Sequence, residues 1–407
     1  MEFLSKVNKM TEYNEFAEAL IDQLSVEIKE EKENLDLASK IDDDSSFNVT
    51  FDPLEDVSKE IFSWVKQKIS NFTGLMVPEN TKIEFLELLE LKKLKGKRIF
   101  TTYIAREFVD SLVDAMSKED IGKISSLMKQ DTVKFLVYST YAKNYISKIS
   151  VTFGDYLEDT IYLNKLFFSI LPKIKLYNQG PPFEAGYEII KSSYIGAIKM
   201  TMLEESIHAI QHNLYKSNKE AVVKVNEIYE DLAKVILDLD DVVLSKIFDY
   251  MNLELVPDEF PIAKRANLFF VLNPESFILG TLPPDQMATK EGQIDTKLSE
   301  MIPQLSDVYR RWLKPRQQQY SAMTVIQGMA GFLIRNILKD DPDFKNYLTV
   351  FKGTDLSSFQ DQKTLGIKFT ETIYSNLGKE AFKKLIDEPP NTLELKDSQL
   401  YLKRSSK

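Results

Sequence analysis

The sequence contains no cysteine, only two histidines, and few glycines and prolines. Its 407 residues include 14 Gly and 15 Pro. Without cysteine the chain forms no disulfide, and it has neither a thiolate metal ligand nor a cysteine nucleophile. Because Gly and Pro interrupt helices, their scarcity, together with abundant Leu, Ile, Lys and Glu, predicts a mainly α fold of long helices around a small α+β core.

The sequence also lacks the patterns typical of a basic surface, a signal peptide and a membrane-spanning segment. The net charge is −10, from 52 Lys and Arg against 62 Asp and Glu, whereas nucleic-acid binding needs clustered positive charge. The basic cluster Lys92–Arg98 is interpreted as a solvated loop. No apolar run approaches the roughly 18–20 residues of a membrane span, and the first residues lack the basic flank and apolar core of a signal peptide. We therefore expect a cytoplasmic protein with no nucleic-acid or membrane partner.

Apolar residues repeated at intervals of three and four predict helices over most of the chain. Helices are expected at 54–72, 83–94, 101–116, 202–215, 220–238, 297–313 and 318–339. Ser117 and Asp120 fit a capping pattern that would start the helix after 101–116. The acidic, Ser-rich stretch Asp42–Phe51 and the segment 283–296 are predicted linkers.

The sequence pattern changes at Ser150. Residues that favour strands, mixed with Gly and Asp, predict a short strand at Thr160–Leu163, and the first part of Tyr187–Met200 is also rich in such residues. After Pro389 and Pro390 the end of the chain is expected to be polar and frayed. The predicted regions are a helical N-terminal region 1–149, a core 150–282 with a short antiparallel sheet, the linker 283–296 and a helical C-terminal region 297–407.

Both histidines of the chain, His208 and His212, lie in the stretch Met202–Tyr215. On one continuous helix their spacing places them on the same face, together with Glu204 one turn earlier. Apolar residues flank this stripe, so we expect the helix to be largely buried. Buried ionisable groups need a partner, a proton or a metal. This stretch is therefore the best functional indication in the sequence.

The pattern Glu204-Glu205-x-x-His208, followed after eighteen residues by Glu227, resembles the gluzincin group of zinc metallopeptidases. That group has H-E-x-x-H and a distant Glu on the next helix. Two further strings are similar to metallopeptidase-like families. One is His208-Ala-Ile-Gln211, and the other is Gly154-Asp-Tyr with Thr160-Ile-Tyr-Leu-Asn164, an edge strand before the active helix. The resemblance covers roughly residues 150–280.

The resemblance implies a metal-dependent peptidase acting on a peptide or protein substrate. Glu204, His208 and Glu227 would hold Zn²⁺, and Glu205 would be the general base that activates metal-bound water. His212 would orient the site or stabilise the oxyanion. Because Glu204 stands where the pattern has His, the site is more anionic and more open to Mn²⁺ or Fe²⁺. Other acidic residues could replace Glu227 as the third ligand: Glu230, Glu259 or Glu275.

Two alternatives belong beside this hypothesis. A catalytically degenerate relative would keep a metal-binding or structural site, for example on the pair His208 and His212, where Ala209 stands in place of the base. A helical scaffold or interaction protein would satisfy the same groups by hydrogen bonds and ion pairs. The enzyme hypothesis predicts that Glu204, His208 and Glu227 meet in an open cleft, whereas the scaffold hypothesis places Glu227 in solvent.

Overall fold

The computed structural model describes residues 14–15, 17–18, 32–87, 90–91, 94, 106–139, 153–157, 159–253, 261–273, 295–351 and 360–405. Most of the basic cluster Lys92–Arg98 and of the predicted linker 283–296 lies outside these residues.

Helices account for most of the described chain, which confirms the prediction of a mainly α fold. The elements in chain order are α1 (Leu54–Thr73), β1 (Lys82–Leu86), α2 (Arg106–Ser117), α3 (Ile121–Gln130), β2 (Gly154–Leu157), β3 (Thr160–Asn164), a π-helical turn (Leu166–Ile170), α4 (Leu171–Tyr177), α5 (Glu184–Ile210), α6 (His212–Leu237), α7 (Asp241–Met251), α8 (Pro261–Leu272), α9 (Thr296–Met301), α10 (Gln304–Ile337), α11 (Pro342–Val350), α12 (Gln360–Leu377), α13 (Glu380–Asp387), α14 (Thr392–Lys396) and α15 (Ser398–Ser405). Residues 32–43 and 132–139 are also helical.

The chain divides into two compact units, each assembled from three separate stretches of sequence. The first unit contains residues 1–25, 93–147 and 217–320, and the second contains residues 26–92, 148–216 and 321–407. These units do not coincide with the consecutive regions expected from the sequence, whose status as domains stays a prediction.

Helix α5 lies at the centre of the second unit. It packs against α1, α4, α11 and strand β2, and it buries large side chains such as Tyr194, Leu203 and Ile207. A helix that is apolar on most sides is stable only when it is buried on most sides. The expected β character at the start of Tyr187–Met200 was therefore wrong, because packing in the core outweighs the local preference of its residues.

The second unit also contains a three-stranded mixed sheet in the order β1-β3-β2. β3 pairs in parallel with β1, with Lys82 opposite Thr160, and antiparallel with β2. The strand expected at Thr160–Leu163 is confirmed. The helix expected at 83–94 begins instead as the strand β1, because Ile83 and Phe85 alternate with polar residues and β3 supplies the hydrogen-bonding partner.

The first unit has a helical core with buried aromatic hydrogen bonds. Trp312 on α10 donates from its indole N–H to the hydroxyl of Tyr229 on α6, at 3.1 Å, and both side chains are fully buried. Tyr309 donates to the carbonyl oxygen of Leu272 at the end of α8, at 2.7 Å. Buried aromatic side chains with a polar atom usually require such a partner, so these bonds fix how α6, α8 and α10 pack in this unit.

Several expected helix ends were wrong. Asp120, not Ser117, caps α3, since its carboxylate accepts from the backbone N–H of Lys123 at 2.9 Å. The helices expected at 297–313 and 318–339 are the short α9 and the single long α10, which continues through Pro315. Residues 391–405 are not frayed, because a capping box between Asn391 and Glu394 starts α14 and a further helix follows it.

No single helix within the described ranges is long and apolar enough to cross a membrane.

Candidate functional site

The predicted helix 202–215 is two helices. α5 ends at Ile210, and Gln211 leaves the helical conformation with φ −82° and ψ 28°. α6 then begins at His212. The stripe of Glu204, His208 and His212 on one continuous helix was therefore wrong. His208 is 4% exposed, whereas His212 is exposed.

The break places the side chain of Gln211 against that of His208. Nδ1 of His208 lies 2.9 Å from Oε1 of Gln211, and Nε2 of Gln211 donates to the carbonyl oxygen of Ile326 on α10 at 3.3 Å. Because the amide nitrogen faces a carbonyl, the amide oxygen must face the ring. Nδ1 of His208 therefore carries a hydrogen and donates a hydrogen bond to Oε1 of Gln211. In the neutral imidazole the lone pair then lies on Nε2.

An aromatic ring closes one side of this histidine. The ring of Tyr215, on α6, meets the ring of His208 edge to face at a centroid distance of 5.8 Å and an angle of 81°. The contact and the bond to Gln211 both belong to the second unit, so the imidazole is held from two directions within one compact body.

The two neighbouring glutamates differ in their surroundings. Oε1 of Glu204 lies 3.5 Å from Nζ of Lys363 on α12, and both side chains are about one-fifth exposed, at 21% and 23%. Glu205 is 7% exposed. The residue proposed as a metal ligand is thus paired with an ammonium group, while the residue proposed as the base lies in the interior.

The proposed third ligand lies in the first unit. Glu227 is exposed on α6 and lines an open cleft of about 420 Å³ together with Lys224, Asp231 and Arg311. Arg311 pairs with Asp231 at 2.8 Å, so the charges of the cleft largely compensate one another. The exposure of Glu227 is the arrangement that the scaffold hypothesis predicts.

Of the alternative third ligands, Glu230 already has a hydrogen-bond partner. Glu230 accepts a hydrogen bond of 2.6 Å from the hydroxyl of Tyr138. Both the burial of this phenol and its contact with Glu230 raise its pKa. Glu259 and Glu275 lie outside the described residues.

A resident divalent metal is a poor match for the donors on α5. Within the described part of the chain, no three His, Asp or Glu side chains are grouped so that they could hold a metal ion. An ion at Glu204 would also have to displace the ammonium of Lys363, which is already its neighbour. A cation beside a ligand opposes the binding of a second cation. Zinc, manganese or iron at Glu204, His208 and Glu227 therefore stays a prediction.

Comparisons with known proteins give one partial similarity. No model of a known protein family and no solved structure matches the chain. An alignment of 137 positions is 28% identical to autophagy-related protein 11 of Kluyveromyces lactis, and it covers 31% of this chain and 12% of that protein. The match is too short to assign the chain to a family.

Sequence reasoning missed the residues that complete the site. Gln211 was noted as part of the string after His208, but its contact with Ile326 lies 115 positions away in sequence. Lys363 carried no local signal either, because its partner Glu204 lies on a helix far from it along the chain. Pairs of this kind become visible only when the helices are packed.

Proposed function

We propose that this chain is a helical interaction protein in which the histidine stretch is structural. The observation that carries the proposal is the bond from Nδ1 of His208 to Gln211, which is itself bound to Ile326. A buried imidazole held through a buried amide to a backbone carbonyl makes the hydrogen bonds that a buried polar group requires. The carboxylate of Glu204 also has a partner, because it forms an ion pair with the ammonium of Lys363.

The partner in this proposal is another protein. The net charge of −10 argues against a nucleic-acid backbone as partner, because such a partner needs clustered positive charge. A cytoplasmic location is part of the same proposal.

One observation keeps the metallopeptidase hypothesis as a second candidate. A histidine that donates from Nδ1 to an oxygen is in the tautomer that presents Nε2 to a metal, as metal-ligating histidines commonly do. The contact between Nδ1 of His208 and Oε1 of Gln211 fits that tautomer, and Glu205 precedes His208 by three residues. The two candidate functions differ in measurable ways.

Metal content separates them most directly. If the histidine stretch is structural, purified protein without a tag should contain much less than one equivalent of zinc, manganese or iron by inductively coupled plasma mass spectrometry. Added Zn²⁺ should then leave its melting temperature unchanged. About one equivalent of metal, lost on His208→Ala but kept in the exposed control His212→Ala, would overturn the proposal, because bound metal stabilises the folded state by mass action.

Protein partners test the interaction directly. Tagged wild type and Glu205→Gln are each used to capture partners, which are identified by mass spectrometry. A peptidase that has lost its general base binds substrates without releasing products, so the variant would retain proteins that the wild type does not. If the chain is an interaction protein, the wild type and Glu205→Gln should capture the same partners in equal amounts. Proteins captured only by Glu205→Gln, or no reproducible partner with either protein, would contradict the proposed interaction function.

The two histidines also form a matched pair for stability measurements. His208→Ala is expected to lower the free energy of unfolding by about 2–3 kcal/mol, because it opens a cavity and leaves the buried amide oxygen of Gln211 without its donor. His212→Ala is expected to change it by less than about 0.5 kcal/mol, since that side chain is exposed. Urea unfolding followed by circular dichroism measures both, and equal effects would show that His208 is not held as described.

A further inference from the structure

Strand β1 lies at one edge of the three-stranded sheet in the second unit. The strand order is β1-β3-β2, so β3 pairs with one side of β1, and no other strand in the described ranges pairs with its second side. The second side of an edge strand carries backbone N–H and C=O groups that the sheet does not use, and these can pair with another chain. This edge of β1 is therefore a place where a further strand can be added.

The register of the sheet shows which backbone groups face the open edge. The N–H of Lys82 donates to the carbonyl oxygen of Asp159 at 2.8 Å, at the start of the parallel ladder with β3. Backbone groups alternate in direction along a strand, so every second residue from Lys82 onwards bonds to β3. The N–H and C=O groups of Ile83 and Phe85 consequently point away from β3, towards the open edge.

The side chains of β1 form one charged face and one apolar face. Lys82 and Glu84 are exposed, whereas Ile83 and Phe85 are half-buried. Because successive side chains of a strand point to opposite faces of the sheet, Lys82 and Glu84 lie on the same face, two residues apart. The open edge of β1 therefore combines unused backbone groups with one positive and one negative side chain.

We propose that two copies of this chain associate through β1, with the two strands antiparallel across a two-fold axis at Ile83. A two-fold interface brings the same surface of both copies together, so that surface must be complementary to itself. Ile83 lies opposite Ile83 of the second copy, and each donates its N–H to the carbonyl oxygen of the other. The two three-stranded sheets thereby join into one continuous sheet, and β1 is no longer at an edge.

The charges of β1 favour this register. With Ile83 on the axis, Lys82 lies opposite Glu84 of the second copy, and the symmetry forms the same pair twice. These are the non-hydrogen-bonded positions, where side chains of antiparallel strands lie closest. Opposite charges there stabilise the pairing and like charges destabilise it. A shift by two residues, the smallest that keeps the outward backbone groups paired, would place Lys82 opposite Lys82 or Glu84 opposite Glu84.

The association is weak, because the ladder is short and both copies carry the same net charge. Thr81, just before β1, uses its N–H within the chain, on the carbonyl oxygen of Pro78 at 3.1 Å. The net charge of −10 on each copy opposes association. We therefore expect a dimer that forms as the protein concentration rises. It involves neither His208 nor its partners, so it goes beyond the proposed function and does not depend on it.

Sedimentation velocity of the whole chain over a series of concentrations tests the dimer. Lys82→Glu replaces both opposite-charge pairs by like-charge pairs and should weaken the dimer about 10-fold or more, and Glu84→Lys should have the same effect. Both side chains are exposed, so neither change disturbs the core. Lys59→Glu and Glu60→Lys make the same changes of charge at exposed positions of α1, and these controls should leave the dimer as strong as in the wild type.

Mixing the two β1 variants tests the register itself. In the mixture, a Lys82→Glu chain with two negative charges meets a Glu84→Lys chain with two positive charges, so every opposed pair is again of opposite sign and a heterodimer should form. The double variant Lys82→Glu/Glu84→Lys should likewise restore the homodimer. A wild type that stays monomeric, a dimer that the β1 variants do not weaken, equal losses in the α1 controls, or a mixture no more associated than its components would overturn the proposal.

Discussion

Replacing Gly366 by alanine is expected to lower the free energy of unfolding of the second unit by about 3 kcal/mol. In the wild type, α12 crosses α10 with Gly366 against Gly328. A methyl group at Gly366 would overlap the carbonyl oxygen of Thr324 and lie 2.8 Å from the Cα atom of Gly328. The obstructing atoms are all backbone atoms of α10, so no side-chain rotation relieves the overlap and the helices must move apart.

The control for this prediction is Gly186→Ala, also in a helix of the second unit. There the added methyl group would meet the end of the Gln179 side chain, which can rotate away. We expect a change within about 1 kcal/mol, since alanine also favours the helix by up to that amount. Urea unfolding followed by circular dichroism compares the two variants. Similar midpoints for both would show that the crossing of α10 and α12 tolerates an added methyl group.

The same crossing determines the surroundings of the candidate site. Gln362 of α12 donates to the hydroxyl of Thr324 at 3.0 Å, and Lys363, the next residue, reaches Glu204 on α5. The first contact joins α12 to α10 directly, and the second depends on where that packing places α12 beside α5. Gly366→Ala should therefore weaken the ion pair between Glu204 and Lys363 as well as the core, which connects the stability of this helix pair to the charge balance beside His208.

The elements that could be predicted from the sequence are those whose signal is local. The helix expected at 54–72 is observed as Leu54–Thr73, because its apolar positions repeat at helical intervals and face one core. The helix expected at 220–238 is observed as the later part of His212–Leu237. The strand at Thr160 is observed because its residues favour strands and a turn at Asp159, with φ +66°, precedes it.

The elements that were missed depend on contacts between distant parts of the chain. β1 is a strand because β3, nearly eighty residues later, pairs with it in register. The break at Gln211 contains no Gly or Pro, and its side chain instead contacts α10. The segment 44–51, where a linker was expected, packs into the second unit through Phe47, Val49 and Phe51. This segment did carry a local signal, since those three residues alternate with polar residues, a period typical of an extended, half-buried segment.

In the candidate site, too, local features could be predicted from the sequence and long-range contacts could not. Burial of His208 followed from the apolar residues around it, and the structure confirms it at 4% exposure. Its partners did not follow, because a motif specifies residue types at fixed intervals and says nothing about the helix that packs across from them. Glu204 resembles a metal ligand in sequence, but in the folded protein its neighbour is the ammonium of Lys363.

Replacing Lys199 by methionine is expected to destabilise the second unit by about 2–4 kcal/mol near neutral pH. Nζ of Lys199 lies 2.7 Å from a carboxylate oxygen of Asp341 and 2.8 Å from one of Asp343, and these three side chains are 16%, 10% and 24% exposed. Without the ammonium, two poorly solvated carboxylates at the start of α11 lose their charged partner and keep only neutral hydrogen-bond donors. The exposed pair Lys345 and Asp340, 3.8 Å apart, supplies the control, because Lys345→Met should cost less than about 0.5 kcal/mol.

The pH dependence gives this prediction a second, independent readout. Burial alone would lower the pKa of the Lys199 ammonium, but hydrogen bonds and charge from Asp341 and Asp343 outweigh it and raise the pKa above the ordinary 10.5. A raised lysine pKa means that the stabilisation is complete below 10.5 and is lost as the pH rises through the folded-state value. The stability difference between wild type and Lys199→Met, measured by urea unfolding, should therefore be constant from neutral pH to about pH 10 and shrink above it. A difference that grows in alkali would show that Lys199 is not held by these two carboxylates.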